Sequence, residues 1–139
     1  MKKSLFLIVC LSIWGCASHL VYKPTPSQQI SLSDSVQIAG TVNPWGLDFV
    51  AVSHVEKDHT RLIVLSALGI KLLDMAVFPQ RIEVYVKQEK LPNLVVQAFG
   101  RFTRAKLATS CPETNIYYQD TYARAVFQAT RQEGGVLCH

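Results

Sequence analysis

The sequence is poor in charge, in glycine and proline, and in long apolar runs. Of its 139 residues only 17% are charged, against 49% that are apolar. That balance excludes a disordered chain, which cannot bury enough apolar surface to offset its ordering entropy. Six prolines and seven glycines exclude collagen-like and Pro-rich architectures. The length admits one ordinary domain. Fourteen Lys and Arg against ten Asp and Glu give a formal charge of +4, but two of the cations are Lys2 and Lys3. Without the first fifteen residues the balance is 12 against 10, or +2. No basic stripe survives that subtraction, so nucleic acid is not an expected partner. The chain also has no Gly-rich phosphate loop, GxSxG, HExxH or CxxC. It reads as no enzyme, without cofactor or metal.

What is there begins with an address. Lys2 and Lys3 precede an apolar stretch from Leu5 to Trp14. Ten residues rise about 15 Å as a helix, half of a ~30 Å hydrocarbon core, so this is an export signal and not a span. The following Ile13-Trp14-Gly15-Cys16 resembles the bacterial lipobox, cut after its Gly and lipidated (palmitate) on its Cys. Residues 1–15 are then a signal peptide, and Cys16 anchors the chain to a membrane. Several acyl chains hold such a domain stably, where one would not. Ala17, in place of Asp, resembles the sorting of lipoproteins to the periplasmic side of the outer membrane. An ordinary secretory cut after Ala17 is the alternative, leaving a soluble periplasmic protein.

Cysteine usage agrees with export. With Cys10 in the leader and Cys16 lipidated, Cys111 and Cys138 remain. In an oxidising compartment they read most simply as one disulfide. It closes a loop of about 28 residues, contributing on the order of 3–4 kcal/mol by loop entropy. A metal site from Cys111, Cys138 and His139 is the alternative.

Residues 16–35, polar beyond the cysteine and carrying Pro24 and Pro26, read as an extended tether. A single domain then runs from 36 to 139. From Val36 to Lys87 strands alternate with turns: Val36–Val42, Leu47–Val55, Arg61–Leu68, Ile70–Phe78 and Arg81–Lys87. Asn43-Pro44-Trp45-Gly46, Glu56-Lys57-Asp58-His59, Gly69 and Pro79-Gln80 punctuate them. Short strands with tight turns predict an antiparallel meander in an α+β, mainly β fold. The period changes at Pro92–Leu107, where Leu94, Val95, Ala98, Phe99, Phe102 and Ala105 follow helical spacing. This predicts an amphipathic helix of about four turns, interrupted by Gly100. Asn115–Tyr118 and Tyr122–Thr130 read as further strands, and Val136–Cys138 as a closing one.

Among candidate sites, His54, Glu56, Asp58 and His59 form a compact polar run. Three of them share a strand face, so two or three metal ligands are geometrically possible, while a polar hairpin tip accounts for the same residues. Ser53 beside His54 makes no dyad, because adjacent strand residues point to opposite faces. A Cys111 nucleophile is disfavoured, since oxidation consumes the thiol. Tyr117, Tyr118, Tyr122 and Phe127 lack the basic interleaving of a base-stacking platform and read as core and cavity wall.

Gly15-Cys16, Leu65-Ser66-Ala67-Leu68-Gly69, and Leu91-Pro92 with the helix after it resemble the LolA/LolB superfamily of bacterial envelope lipoprotein carriers. The likeness extends to the small lipoproteins of that fold in aryl-polyene gene clusters, and spans residues 36–107. It implies an incomplete antiparallel half-barrel, covered by one or more amphipathic helices, whose cavity binds an acyl chain or a lipoprotein. Phe49, Ala51, Val64, Leu72 and Val84 are the candidate lining residues. Family members that insert lipoproteins present an exposed apolar loop, and Trp45 in the Asn43–Gly46 turn is the candidate here. The alternative is a structural or accessory envelope lipoprotein with a solid core, acting through protein partners.

Overall fold

Alternating burial along each apolar segment shows why these residues are strands. In Leu47–Val55, Phe49, Ala51 and Ser53 are buried while their neighbours are not, the period of two that a half-buried strand requires. The structure, a computed structural model, describes residues 19–27 and 35–132. Eight strands follow in order: β1 (His19–Tyr22), β2 (Val36–Asn43), β3 (Leu47–Val55), β4 (Thr60–Ser66), β5 (Lys71–Val77), β6 (Arg81–Lys87), β7 (Asn115–Asp120) and β8 (Ala125–Arg131). Between β6 and β7 lie helix α1 (Asn93–Phe102) and a π-helical turn, Thr103–Leu107.

The strands make one mixed sheet in the order β1-β6-β5-β4-β3-β2-β8-β7, with β1 and β7 as separate edges. Strands β2 to β6 are the expected antiparallel meander, each paired with the next. Strand β8 returns antiparallel to β2 and carries β7 on its outer side. The stretch read as a tether is different in part. Its residues His19–Tyr22 pair in parallel with Arg81–Val84, so the chain before Val36 contributes a strand. The expected second C-terminal strand starts at Ala125, after a turn in which Arg124 takes φ +52°. The predicted closing strand, Val136–Cys138, lies outside the described residues.

Helix α1 starts where Pro92 fits a helix entrance, its missing N–H costing no hydrogen bond there. Gly100 does not interrupt it. A Cβ at this position would stand 2.3 Å from Ile82 Cδ1, so the glycine lets helix and sheet approach closely. After Phe102 the helix widens to the π-helical turn, where the Thr103 hydroxyl donates to the Phe99 carbonyl at 2.7 Å. Gly40 serves β2 and β8 in the same way, since a Cβ there would lie 2.2 Å from the Gln128 carbonyl oxygen.

The core lies between α1 and one face of the sheet. Phe99 packs edge-on against Phe49 and Phe127, each with centroids 5.2 Å apart, and Phe102 stacks on Phe127 at 4.5 Å. Leu62, Val64, Leu73, Met75, Ile82 and Val84 complete the sheet's side. The other face has a different chemistry. There Arg61 and Asp74, on neighbouring strands β4 and β5, are both buried and paired.

Candidate functional site

Four of the five candidate lining residues, Phe49, Ala51, Val64 and Val84, sit fully buried in the core. Strand alternation puts them on the helix side, where Phe99 of α1 occupies the space in front of Phe49. Leu72 is half-buried where the pairing of β4 with β5 shifts register, and packs against the same core. Cys16, Cys138 and His139 lie outside the described residues. Cys111 is disulfide-bonded, and its partner lies there too.

The polar run at the β3–β4 turn separates into two pairs. His54 Nε2 lies 3.2 Å from Glu56 Oε1, and His59 Nδ1 lies 2.7 Å from Asp58 Oδ1, the carboxylate accepting in each. The His59 hydrogen bond holds the exposed Asp58 carboxyl below its usual range. Among the described residues no three His, Cys, Asp or Glu side chains gather as metal ligands.

His59 faces a cleft instead. The β3–β4 turn, the β5–β6 turn and the π-helical turn border an open cleft of about 550 Å³ at one end of the sheet. Val55, Val77, Phe78, Pro79 and Ala108 give it apolar walls, with Lys57 at the turn. The Phe78 ring stacks with His59 at 4.8 Å and lies 3.8 Å below the Arg81 guanidinium. Arg104 fixes this corner by donating to the Phe78 carbonyl at 2.9 and 2.6 Å and to the Arg81 carbonyl at 3.2 Å. Burial, with the neighbouring Arg101 charge, lowers the Arg104 pKa. The two carboxylates pair with His54 and His59 and Arg104 is bound to backbone carbonyls, so the cleft offers a ligand mainly apolar wall.

The face opposite α1 carries ion pairs that alternation alone did not single out. Arg61 forks onto Asp74 at 2.7 and 2.9 Å and lies 4.7 Å above the Tyr85 ring. Glu83 accepts from Lys23 at 2.7 Å and from the Tyr85 hydroxyl at 3.1 Å. The Lys23 bond keeps the Glu83 carboxyl below its ordinary value despite burial, while burial and Glu83 push the Tyr85 hydroxyl up. On the helix side Arg101 forks onto Asp120 at 2.7 and 2.9 Å, which also accepts from the Ala123 N–H. Burial raises the Asp120 carboxyl, but these bonds outweigh it and leave its pKa lowered. Among the described residues no buried side-chain nitrogen or oxygen lacks a partner.

Trp45 stands partly exposed in the β2–β3 turn, and it is not alone at that end. Leu68 and Ile70 flank Gly69 in the β4–β5 turn and are exposed by 88% and 53%. Sequence reading ran both into strands. Gly69 at φ +83° was the available signal, since a left-handed residue turns the chain before its neighbours can be covered. No family model, curated protein or solved structure matches the chain. Among the described residues no helix is long and apolar enough to cross a membrane.

Proposed function

We propose that the protein is an outer-membrane lipoprotein, anchored through Cys16 on the periplasmic side, that binds or carries a hydrophobic ligand. The ligand is an acyl chain, free or borne by a lipoprotein, and the sheet is a half-barrel that presents it. The observation carrying this reading is the apolar-walled cleft of about 550 Å³ beside the π-helical turn. Its size falls within the usual range of ligand sites, and each CH₂ removed from water contributes about 0.8 kcal/mol. This seats the ligand at the end of the sheet, between Val77, Phe78 and Ala108, and not among Phe49, Ala51, Val64 and Val84.

A specific observation favours the second reading, an accessory lipoprotein with a solid core that works through protein partners. The rings of Phe49, Phe99, Phe102 and Phe127 pack into one cluster where the cavity was expected. Native mass spectrometry of the Cys16→Ser protein, purified without detergent and incubated with palmitate, separates the two. The carrier reading expects a palmitate adduct, lost in Ala108→Trp, which fills the cleft from an exposed position without unfolding the chain. No adduct, or an adduct indifferent to Ala108→Trp, moves the assignment to the accessory lipoprotein.

A further inference from the structure

The direction of each strand gathers the exposed apolar residues at one end of the sheet. The β2–β3, β4–β5 and β7–β8 turns and the connection from β6 to α1 all open there, because successive antiparallel strands reverse. These segments and the first turn of α1 carry Trp45, Leu68, Ile70, Tyr122 and Leu94, five of the eight large hydrophobic side chains that are exposed among the described residues. The cleft lies at the other end, with the β3–β4 and β5–β6 turns.

The tips are held out by the backbone. In the β4–β5 turn the Gly69 N–H donates to the Ser66 carbonyl at 2.9 Å and the Ser66 N–H to the Ile70 carbonyl at 2.8 Å. The Ile70 N–H also donates to Ser66 Oγ at 3.1 Å. A turn closed by three hydrogen bonds presents Leu68 to solvent. Cations surround the tips: Lys71 follows Ile70, Lys87 and Lys90 flank the start of α1, and Arg124 closes the β7–β8 turn. Lys71 also lies 3.7 Å from Asp74, a carboxylate already forked by Arg61, and Lys87 donates to the Leu91 carbonyl, so both keep their positive charge unneutralised. Against the four cations stand Asp48 and Glu89, since Asp120 is taken by Arg101.

We propose that this end of the sheet is a docking surface for a lipid bilayer with anionic headgroups. Trp and Tyr settle at the headgroup level, Leu and Ile enter the acyl boundary, and lysines reach up to phosphates. The cations give the complementary charge, and the arc of separate turns fits a broad plane better than a concave partner. The surface is independent of the cleft and needs neither its ligand nor the lipid on Cys16.

The test is co-sedimentation of the mature chain bearing Cys16→Ser with vesicles of phosphatidylethanolamine and phosphatidylglycerol, and with phosphatidylcholine vesicles. The proposal expects binding to the anionic vesicles that weakens with salt, and a blue shift of Trp45 emission. Leu68→Asp with Ile70→Asp weakens that binding at least about tenfold with unchanged thermal stability. Val55→Asp, at the opposite end, and Ala108→Trp, in the cleft, leave it unchanged. Absence of binding to anionic vesicles overturns the proposal, as does equal loss in Val55→Asp. Because Ala108→Trp is read separately for ligand and for vesicles, the two proposals fail independently.

Discussion

The two faces of this sheet solve burial by opposite means. Toward α1 the side chains are aromatic and aliphatic, and Phe99 touches rings contributed by β3 and β8. Away from α1, strands β4, β5 and β6 hold Arg61, Asp74 and Glu83 in paired, largely buried positions. Burial of rings is non-directional and adds up with area, whereas a buried charge is tolerated only while its partner keeps its geometry. The first face therefore supplies stability. The second fixes how β4, β5, β6 and the segment carrying Lys23 are placed against one another.

That contrast can be broken from the helix side first. Phe99→Ala removes the ring that joins β3 to β8 and is expected to cost about 3–5 kcal/mol in denaturant unfolding. On the other face, Asp74→Leu leaves Arg61 buried without its carboxylate and is expected to cost about 3 kcal/mol. The double variant Arg61→Met with Asp74→Leu should recover most of that loss, because removing both charges removes the desolvation cost as well. A double variant as unstable as the single would mean that the pair itself, and not the orphaned arginine, carries the face.

The smallest effect is in pH. Glu83 and Asp120 are held below their ordinary values in the folded chain, so they stabilise it above the unfolded carboxylate range near pH 4. As the pH falls below about 4, the unfolded chain takes up protons first and stability declines. Glu83→Gln and Asp120→Asn should each flatten that decline between about pH 4 and 2, measured as thermal midpoint against pH. An unchanged slope in both would show that other carboxylates set the acid limb.

Strands that are local in sequence were legible. The boundaries expected for Arg81–Lys87 are those of β6, and Phe49 and Ala51 fall on the buried face that alternation gives them. Strand β1 was not legible, because His19–Tyr22 is four residues between polar neighbours and acquires its partner from far along the chain. Arg61 and Asp74 read as isolated polar residues within apolar strands, since only the register of β4 on β5 brings them together. Of the candidate site residues, Trp45 was visible as an apolar residue in a turn, while Leu68 and Ile70 were hidden by continuity with apolar strands. Their exposure follows from where Gly69 ends the pairing, a backbone event that periodicity does not encode.

The pairing of β1 also sets an order of assembly. Lys23 and Glu83 are 60 positions apart, so the N-terminal strand has no partner until most of the meander has formed. Strands β2 to β6 meet through short turns and close their loops cheaply, whereas β1 on β6 and, over a still longer stretch of chain, β8 on β2 close long ones. The local meander therefore forms a platform of five strands, and the two long-range strands add to its opposite edges, β1 beside β6 and β8 beside β2.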